Sequence, residues 1–357
     1  MFIGKCHSLV SAVLILLGSG LSAVSCHRED PVREADAIRF HISDDWQPMS
    51  GSVTKATLFD EGALSTGSTF MVDAFVAGTA TKYINSELAS YQTESTDWRF
   101  GADYYWPMSD ALDFLAWMPA DRTDTHVGVP TRTGSAGPSF TCSGLPMTSA
   151  GQAGLREFVY AWKTGQSKAD PGGSGVTLAF KHPFSIITIQ VKQAHPYLTL
   201  NSIAFSNLYN SGTFSYDTSP QWTPTGTASS FVATVGKTWP AMYDFTDPDP
   251  VGGPYLILPQ TFAGGSQTVL MNVSWPGWTD NPTRTLEATI PVPEWEPGRV
   301  YNYMLDLGDN DDIRFLVSVE SWSADEDNGA TVTFGDNIRF QVVVKDWTND
   351  TTQQIIL

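Results

Sequence analysis

The feature that most constrains this chain is a hydrophobic period of two. Short alternating or nearly alternating apolar runs recur from residue 37 onward, at 38–42, 70–76, 176–180, 185–191, 255–258, 269–273 and 300–307. Clusters of Gly, Pro, Asn and Asp bound them. Side chains two apart share one face of a strand, so such runs specify strands laid on a core. Composition points the same way: charged residues are only 16% of the chain, while glycine reaches 30 residues and proline 22. That mixture starves long helices, which depend on Ala, Glu, Lys and Leu. Only residues 84–91 and 154–162 have a pattern fit for a helical turn or two. The predicted fold class is all-β, with sheets packed face to face as sandwiches.

Acidic residues outnumber basic ones 38 to 20, for a net charge of −18. A phosphate backbone is repelled by such a chain, which excludes nucleic acid as a partner. The start of the chain reads as an export signal. Lys5 is followed by an apolar and small-residue stretch over 8–21, too short to span a bilayer as a helix. Ala23-Val24-Ser25 then precedes Cys26, as in a lipobox with Ala23 at the usual leucine position. Glu29-Asp30 follow closely, resembling the surface-export signal of Gram-negative lipoproteins. Cys26 is therefore the expected lipidation site and the lipid the expected tie to the outer membrane. Removal of the signal takes Lys5 with it and moves the net charge from −18 to −19. Cys142 is then the one remaining thiol, so no intramolecular disulfide forms, and a buried small side chain is the expectation.

The interruption at Ala194-His195-Pro196 suggests a boundary. The expected organisation is a signal over 1–25, a lipid-anchored linker over 26–36, a sandwich over 37–193, a second over 194–308, and a strand tail over 309–357. Catalytic signatures do not emerge. His7, His27, His41, His126, His182 and His195 show no metal-ligand spacing, and no nucleophile elbow, P-loop or dinucleotide fingerprint occurs. No enzyme activity, cofactor or metal is expected. Three acidic stretches, at 306–312, 325–329 and Asp244, Asp247 and Asp249, read as solvated turns before calcium loops. The aromatic clusters Tyr104-Tyr105-Trp106 and Trp275-Pro276-Gly277-Trp278 read as packing before sugar platforms.

Several segments in order resemble the fimbrillins, pilin-like surface lipoproteins. They are Tyr104-Tyr105-Trp106-Pro107 with Leu112-Asp113-Phe114-Leu115-Ala116-Trp117-Met118-Pro119, then Val176-Thr177-Leu178-Ala179-Phe180-Lys181-His182. Leu256-Ile257-Leu258-Pro259-Gln260 and Trp295-Glu296-Pro297-Gly298-Arg299-Val300-Tyr301-Asn302-Tyr303 complete the set. The resemblance implies two transthyretin-like β-sandwiches in tandem and a subunit of fimbriae that support adhesion and biofilm. It makes His182 a structural core residue. It implies polymerisation with other fimbrial subunits by strand addition. It also implies loss of an N-terminal segment by cleavage after an arginine downstream of the lipidated cysteine. Here Lys55 stands at that place, 29 residues past Cys26, with Arg33 and Arg39 earlier as other processing candidates. Lysine in place of arginine leaves two readings open: a lipid-retaining anchor or accessory subunit, or cleavage by a protease that accepts lysine. A surface glycan-binding lipoprotein is the competing reading, favoured by an exposed set of coplanar Trp or Tyr rings.

An internal repeat bears on assembly. Ile38-Arg39-Phe40-His41-Ile42, Ile313-Arg314-Phe315-Leu316-Val317 and Ile338-Arg339-Phe340-Gln341-Val342-Val343-Val344 present the same apolar face in the same phase. Strands of equal phase fit one groove. Ile38, Phe40 and Ile42 are thus expected to form a displaceable N-terminal strand. Ile338, Phe340, Val342 and Val344 of a neighbour are the expected donor strand, with 313–322 as the lesser candidate. Intact-mass analysis of the protein from its native host is expected to show an acylated Cys26 at the N-terminus; an unmodified Cys26 or a different terminus would remove the anchor.

Overall fold

The computed structural model describes residues 37–43, 69–132, 136–170, 175–241, 243–262, 267–277, 281–290 and 292–307, and the backbone of four strands beyond them. Of 243–248 it describes the backbone alone.

The first half supplies β1 (Phe40–Ile42), β2 (Thr69–Val76), β3 (Lys82–Gln92), β4 (Asp97–Phe100), β5 (Leu112–Met118), β6 (Thr131–Arg132), β7 (Pro138–Cys142), β8 (Val159–Gln166), β9 (Val176–Leu178) and β10 (Phe180–Lys181). Eight of them form one sheet in the order β10-β8-β5-β2-β3-β4-β1-β9. Its two end strands, β9 and β10, are consecutive in the chain with only Ala179 between them. The sheet therefore closes on itself. Val176–Leu178 runs parallel to β1, and Phe180–Lys181 runs antiparallel to β8. Closure removes both edges. Phe40, Phe70, Val72, Phe100, Phe114 and Phe180 fill the interior. The Phe40 ring stands edge-on to Phe70, Phe100 and Phe114, with centroids 5.9, 5.3 and 5.5 Å away.

Every residue of β5 is buried, because both faces of this strand are covered. Leu112, Phe114, Ala116 and Met118 point into the closed sheet, and Leu115 and Trp117 into a second core outside it. Asp113 sits on that outer face. Its carboxylate accepts from Arg132 Nη1 at 2.7 Å and from the N–H groups of Gly78 and Gly165 at 2.9 and 2.6 Å. Three donors offset the cost of burying the charge.

The second half supplies β11 (Ser185–Ala194), β12 (Thr199–Leu208), β13 (Ser211–Tyr216), β14 (Pro220–Thr225), β15 (Ser229–Thr238), β16 (Tyr243–Ile257), β17 (Gln260–Thr261), β18 (Thr268–Ser274), β19 (Thr283–Thr289), β20 (Glu294–Trp295), β21 (Arg299–Leu307), β22 (Arg314–Ser321), β23 (Val332–Thr333), β24 (Val343–Val344) and β25 (Gln353–Gln354). Layers β16-β11-β21-β22-β23 and β15-β12-β18-β19 enclose a core that includes Ile189, Phe205, Phe231, Tyr255, Met271 and Tyr303. A further sheet, β14-β13-β7-β6, takes strands from both halves. Phe140 of β7 pairs with Phe214 of β13, their rings stacked at 4.4 Å and 13°. These rings join Trp117, Tyr160, Leu256 and Val300 in a core shared by the two halves.

The all-β class holds, and several local expectations shift. Residues 84–91 lie within β3, not in a helical turn. Ser86 has φ +51 and the β2–β3 register slips beside it, so Ile84 and Ala89 face inward five residues apart, which breaks the period of two that marks a strand. Of 154–162, Gly154 ends a 3-10 turn that starts at Gly151, and β8 begins at Val159. The boundary placed between 193 and 194 falls on the last two residues of β11, whose neighbours β16 and β21 both belong to the second half. The tail placed from 309 starts with β22, paired to β21 along its length. Asp244, Asp247 and Asp249 lie in β16, an edge strand, not in a loop.

The edges are guarded. Tyr216 C=O accepts from Gly137 N–H at 2.9 Å, on the β7 side of β13. The pair Tyr216↔Pro220, and by alternation Phe214↔Trp222 and Gly212↔Pro224, therefore turns its β14 backbone groups away from β13. Two of those three residues are proline, so the outer edge of β14 is poor in donors. Pro248, Pro250 and Pro254 stud β16. Val232 N–H donates to Met147 C=O and Ser149 N–H to Val232 C=O, both at 2.9 Å, which covers part of β15. Glutamine amides act as one-residue strands. Gln152 donates to Leu256 C=O at 2.7 Å and accepts its N–H at 2.8 Å, while Gln260 accepts Tyr209 N–H at 3.0 Å and donates to Tyr209 C=O at 3.3 Å.

Phe40→Ala is expected to cost about 3–5 kcal/mol, read as a lower urea midpoint; an unchanged midpoint would mean that Phe40 is not packed as described. Burial pushes the Cys142 thiol up to about 12, and the thiolate is the reactive species. Native protein beginning after Cys26 is therefore expected to resist Ellman's reagent at pH 8 and to react once unfolded in urea.

Candidate functional site

The seat of β1 is the place where the sequence repeat meets the closed sheet. Ala37 bridges to Tyr105, and Ile38 N–H donates to Tyr104 C=O at 2.7 Å. Phe40 lies opposite Trp98 of β4 in antiparallel register and opposite Val176 of β9 in parallel register. Val176 N–H donates to Arg39 C=O at 2.8 Å, and Ser43 N–H donates to Leu178 C=O at 2.9 Å. Ile38 and Phe40 are buried, and Ile42 is half-buried against the same core. Three residues of strand thus separate β4 from β9, and the aromatic centre of the interior hangs from them.

Two local features shape the seat. Gly175 has φ +101, and a Cβ there would stand 2.9 Å from Arg39 C=O, so glycine lets β9 approach β1. Arg39 points away from the core, 3.7 Å from the buried carboxylate of Asp97, which Arg99 also holds at 2.9 Å. Arg39 is therefore part of the wall of the closed sheet. Cys26, Arg33 and Lys55 lie outside the described residues, as do Ile338, Phe340 and Val342. Val344 is described only as backbone, in β24, which pairs with β25 and runs close to β19. Of the 313–322 copy of the repeat, Arg314–Ser321 is present as β22, held between β21 and β23.

Other singled-out residues have packing roles. His182 is buried and hydrogen-bonded through Nδ1 to the equally buried Glu157. Tyr104 and Trp106 pack on the interior of the closed sheet, and Trp275 packs on the core between the two layers of the second half. The large exposed aromatic side chains among the described residues are Tyr83, Tyr105 and Tyr197, with no tryptophan. Among the described residues no group of three or more His, Cys, Asp or Glu side chains could hold a metal ion. Sequence reading missed the closure through Ala179; its signal is two short runs, 176–178 and 180–181, that change partner across one residue.

No curated protein matches the chain. Similar solved structures include a Bacteroides uniformis protein assigned to cell adhesion, 16% identical, covering 80% of this chain and 98% of its own with a TM-score of 0.47. A Bacteroides ovatus protein with the same assignment is 16% identical, covers 81% and 99%, and has a TM-score of 0.44. The C-terminally truncated tip fimbrial protein Mfa3 of Porphyromonas gingivalis is 10% identical, covers 72% and 94%, and has a TM-score of 0.39. A family model described as fimbrillin-like matches residues 54–322, most of the chain, and on that match the protein belongs to the fimbrillin-like family.

Proposed function

We propose that this fimbrillin-like protein is a structural subunit of cell-surface fimbriae that polymerises with other fimbrial subunits by strand exchange, without catalysis. It is exported as a lipoprotein acylated on Cys26, which ties it to the outer membrane, and the fibre serves adhesion and biofilm. The observation that carries this reading is the seat of β1. A short strand, linked to the sheet by few ladder bonds, closes an otherwise continuous wall and buries Phe40 at its centre. Its removal leaves a slot with unpaired strands on both sides and an apolar floor, which a strand of equal phase fills.

Chain order discriminates among the cleavage candidates. Arg33 precedes β1, so a cut there leaves the strand attached. A cut after Arg39 falls immediately before β1 and leaves Phe40–Ile42 behind. Lys55 falls between β1 and β2, so a cut there alone severs the whole of β1 from the sheet it closes. The donor is the tail copy of the repeat, Ile338, Phe340, Val342 and Val344, from a neighbouring subunit.

Deleting residues 337–357 is expected to abolish high-molecular-weight ladders on mildly denaturing gels while leaving the thermal unfolding of the subunit in place. Lys55→Ala is expected to leave β1 attached and to block ladders as well. Unchanged ladders in the deletion would overturn the donor role, and unchanged ladders in Lys55→Ala would overturn Lys55 as the cut site.

A further inference from the structure

We propose that the free edge of β19 is the resting berth of the C-terminal tail, residues 338–347, in the unassembled subunit. The inference concerns the subunit before any exchange and stands whether or not strands are later exchanged.

The geometry of the second half leaves a place for one more strand. β15 and β16 adjoin at one side of the two layers. Counted from there, β19 is the last of four strands, whereas the opposing layer continues past β22 to β23. A strand beside β19 would give both layers five.

The edge is chemically open to pairing. Thr268, on β18, has both backbone groups engaged by the Ser206 hydroxyl on the β12 side, at 3.0 and 3.1 Å. Thr268↔Thr289 is therefore a pair without ladder bonds between β18 and β19. By alternation Glu287, Thr285 and Thr283 share that orientation, so the backbone N–H and C=O groups of all four point outward. Asn281 Oδ1 caps Thr283 N–H at 3.2 Å, which marks the end of the berth and confirms the outward direction. β19 contains no proline, unlike β14 and β16, and no chain segment covers it as residues 147–149 cover β15 among the described residues.

The occupant is identified by position and by pattern. β24, inside the tail, already runs close to β19. Ile338, Phe340, Val342 and Val344 alternate with Arg339, Gln341, Val343 and Lys345. Leu286 and Ala288 of β19 face the core, so the first set would extend that apolar face. Arg339 and Lys345 would then lie on the outer face with Glu287, where opposite charges across strands are favourable.

Hydrogen exchange on the unassembled mature chain tests the berth. In the peptide covering 283–289, the outward amides of Thr285, Glu287 and Thr289 should be slow in the full chain. In a chain ending at Asp336 they should exchange within seconds, about three additional deuterons at the earliest time point. A full-length variant carrying Phe340→Asp and Val342→Asp should match the shortened chain, which guards against misfolding of the truncation. Thr285→Pro, tolerated on an edge strand because only an outward N–H is lost, should in turn speed exchange in residues 338–347. Equal uptake in 283–289 with and without the tail, or tail protection unaltered by Thr285→Pro, would overturn the berth. Protection of 283–289 in a subunit that never forms ladders would keep the berth and overturn strand exchange, so the two ideas fail separately.

Discussion

One stretch of chain, Val176–Leu178 with Phe180–Lys181, serves both ends of the eight-stranded sheet, and the rest of the first half depends on it. Closure in this way needs a partner on each side of Ala179. β8 is one, supplied by a long strand that β5 already holds. β1 is the other, with only three residues. The closure is therefore thin on both sides of Ala179, two residues long against β8 and three residues long against β1. Phe40 compensates through apolar contact: its ring touches three other phenylalanines in the arrangement that aromatic quadrupoles favour.

The two halves do not behave as beads on a string. β5 gives one face to the closed sheet and the other to a core that Leu256 and Val300 of the second half complete. The mixed sheet of β7 and β13 crosses between them, and the Asp113–Arg132 pair anchors the same region from below. Breaking that pair would strand a buried charge, which is far more damaging than never having placed it there.

Much of this was legible in the chain, because period-two runs such as 269–273 and 300–307 carry their own face assignment. Partnership was not. Nothing local in Phe140 announces that it stacks on Phe214, or that the amides of Gln152 and Gln260 replace missing strand neighbours; those contacts join residues 74 to 104 positions apart, or 51 in the case of Gln260 and Tyr209. Long-range pairing leaves no periodic signature. The errors have physical causes as well. A register slip at Ser86 hid the period of two in β3, and the proline-laden, acidic β16 imitated a loop because edge strands are built from residues that discourage pairing. At the candidate site, Ile38 and Phe40 were legible as a strand face, while their role as the closing stave required knowing that β9 lies alongside.

The mixed pairing around β1 also sets a direction. β1 runs antiparallel to β4 and parallel to β9. Parallel and antiparallel ladders place their hydrogen bonds differently, so a segment that took this place would reproduce both only by entering in the same orientation as β1. A subunit that offers its far end to such a slot joins head to tail, by a contact that does not close into a ring of two. Repetition of one such contact gives a filament with unlike ends. If the proposed exchange takes place, a seam three residues long sets the polarity of growth.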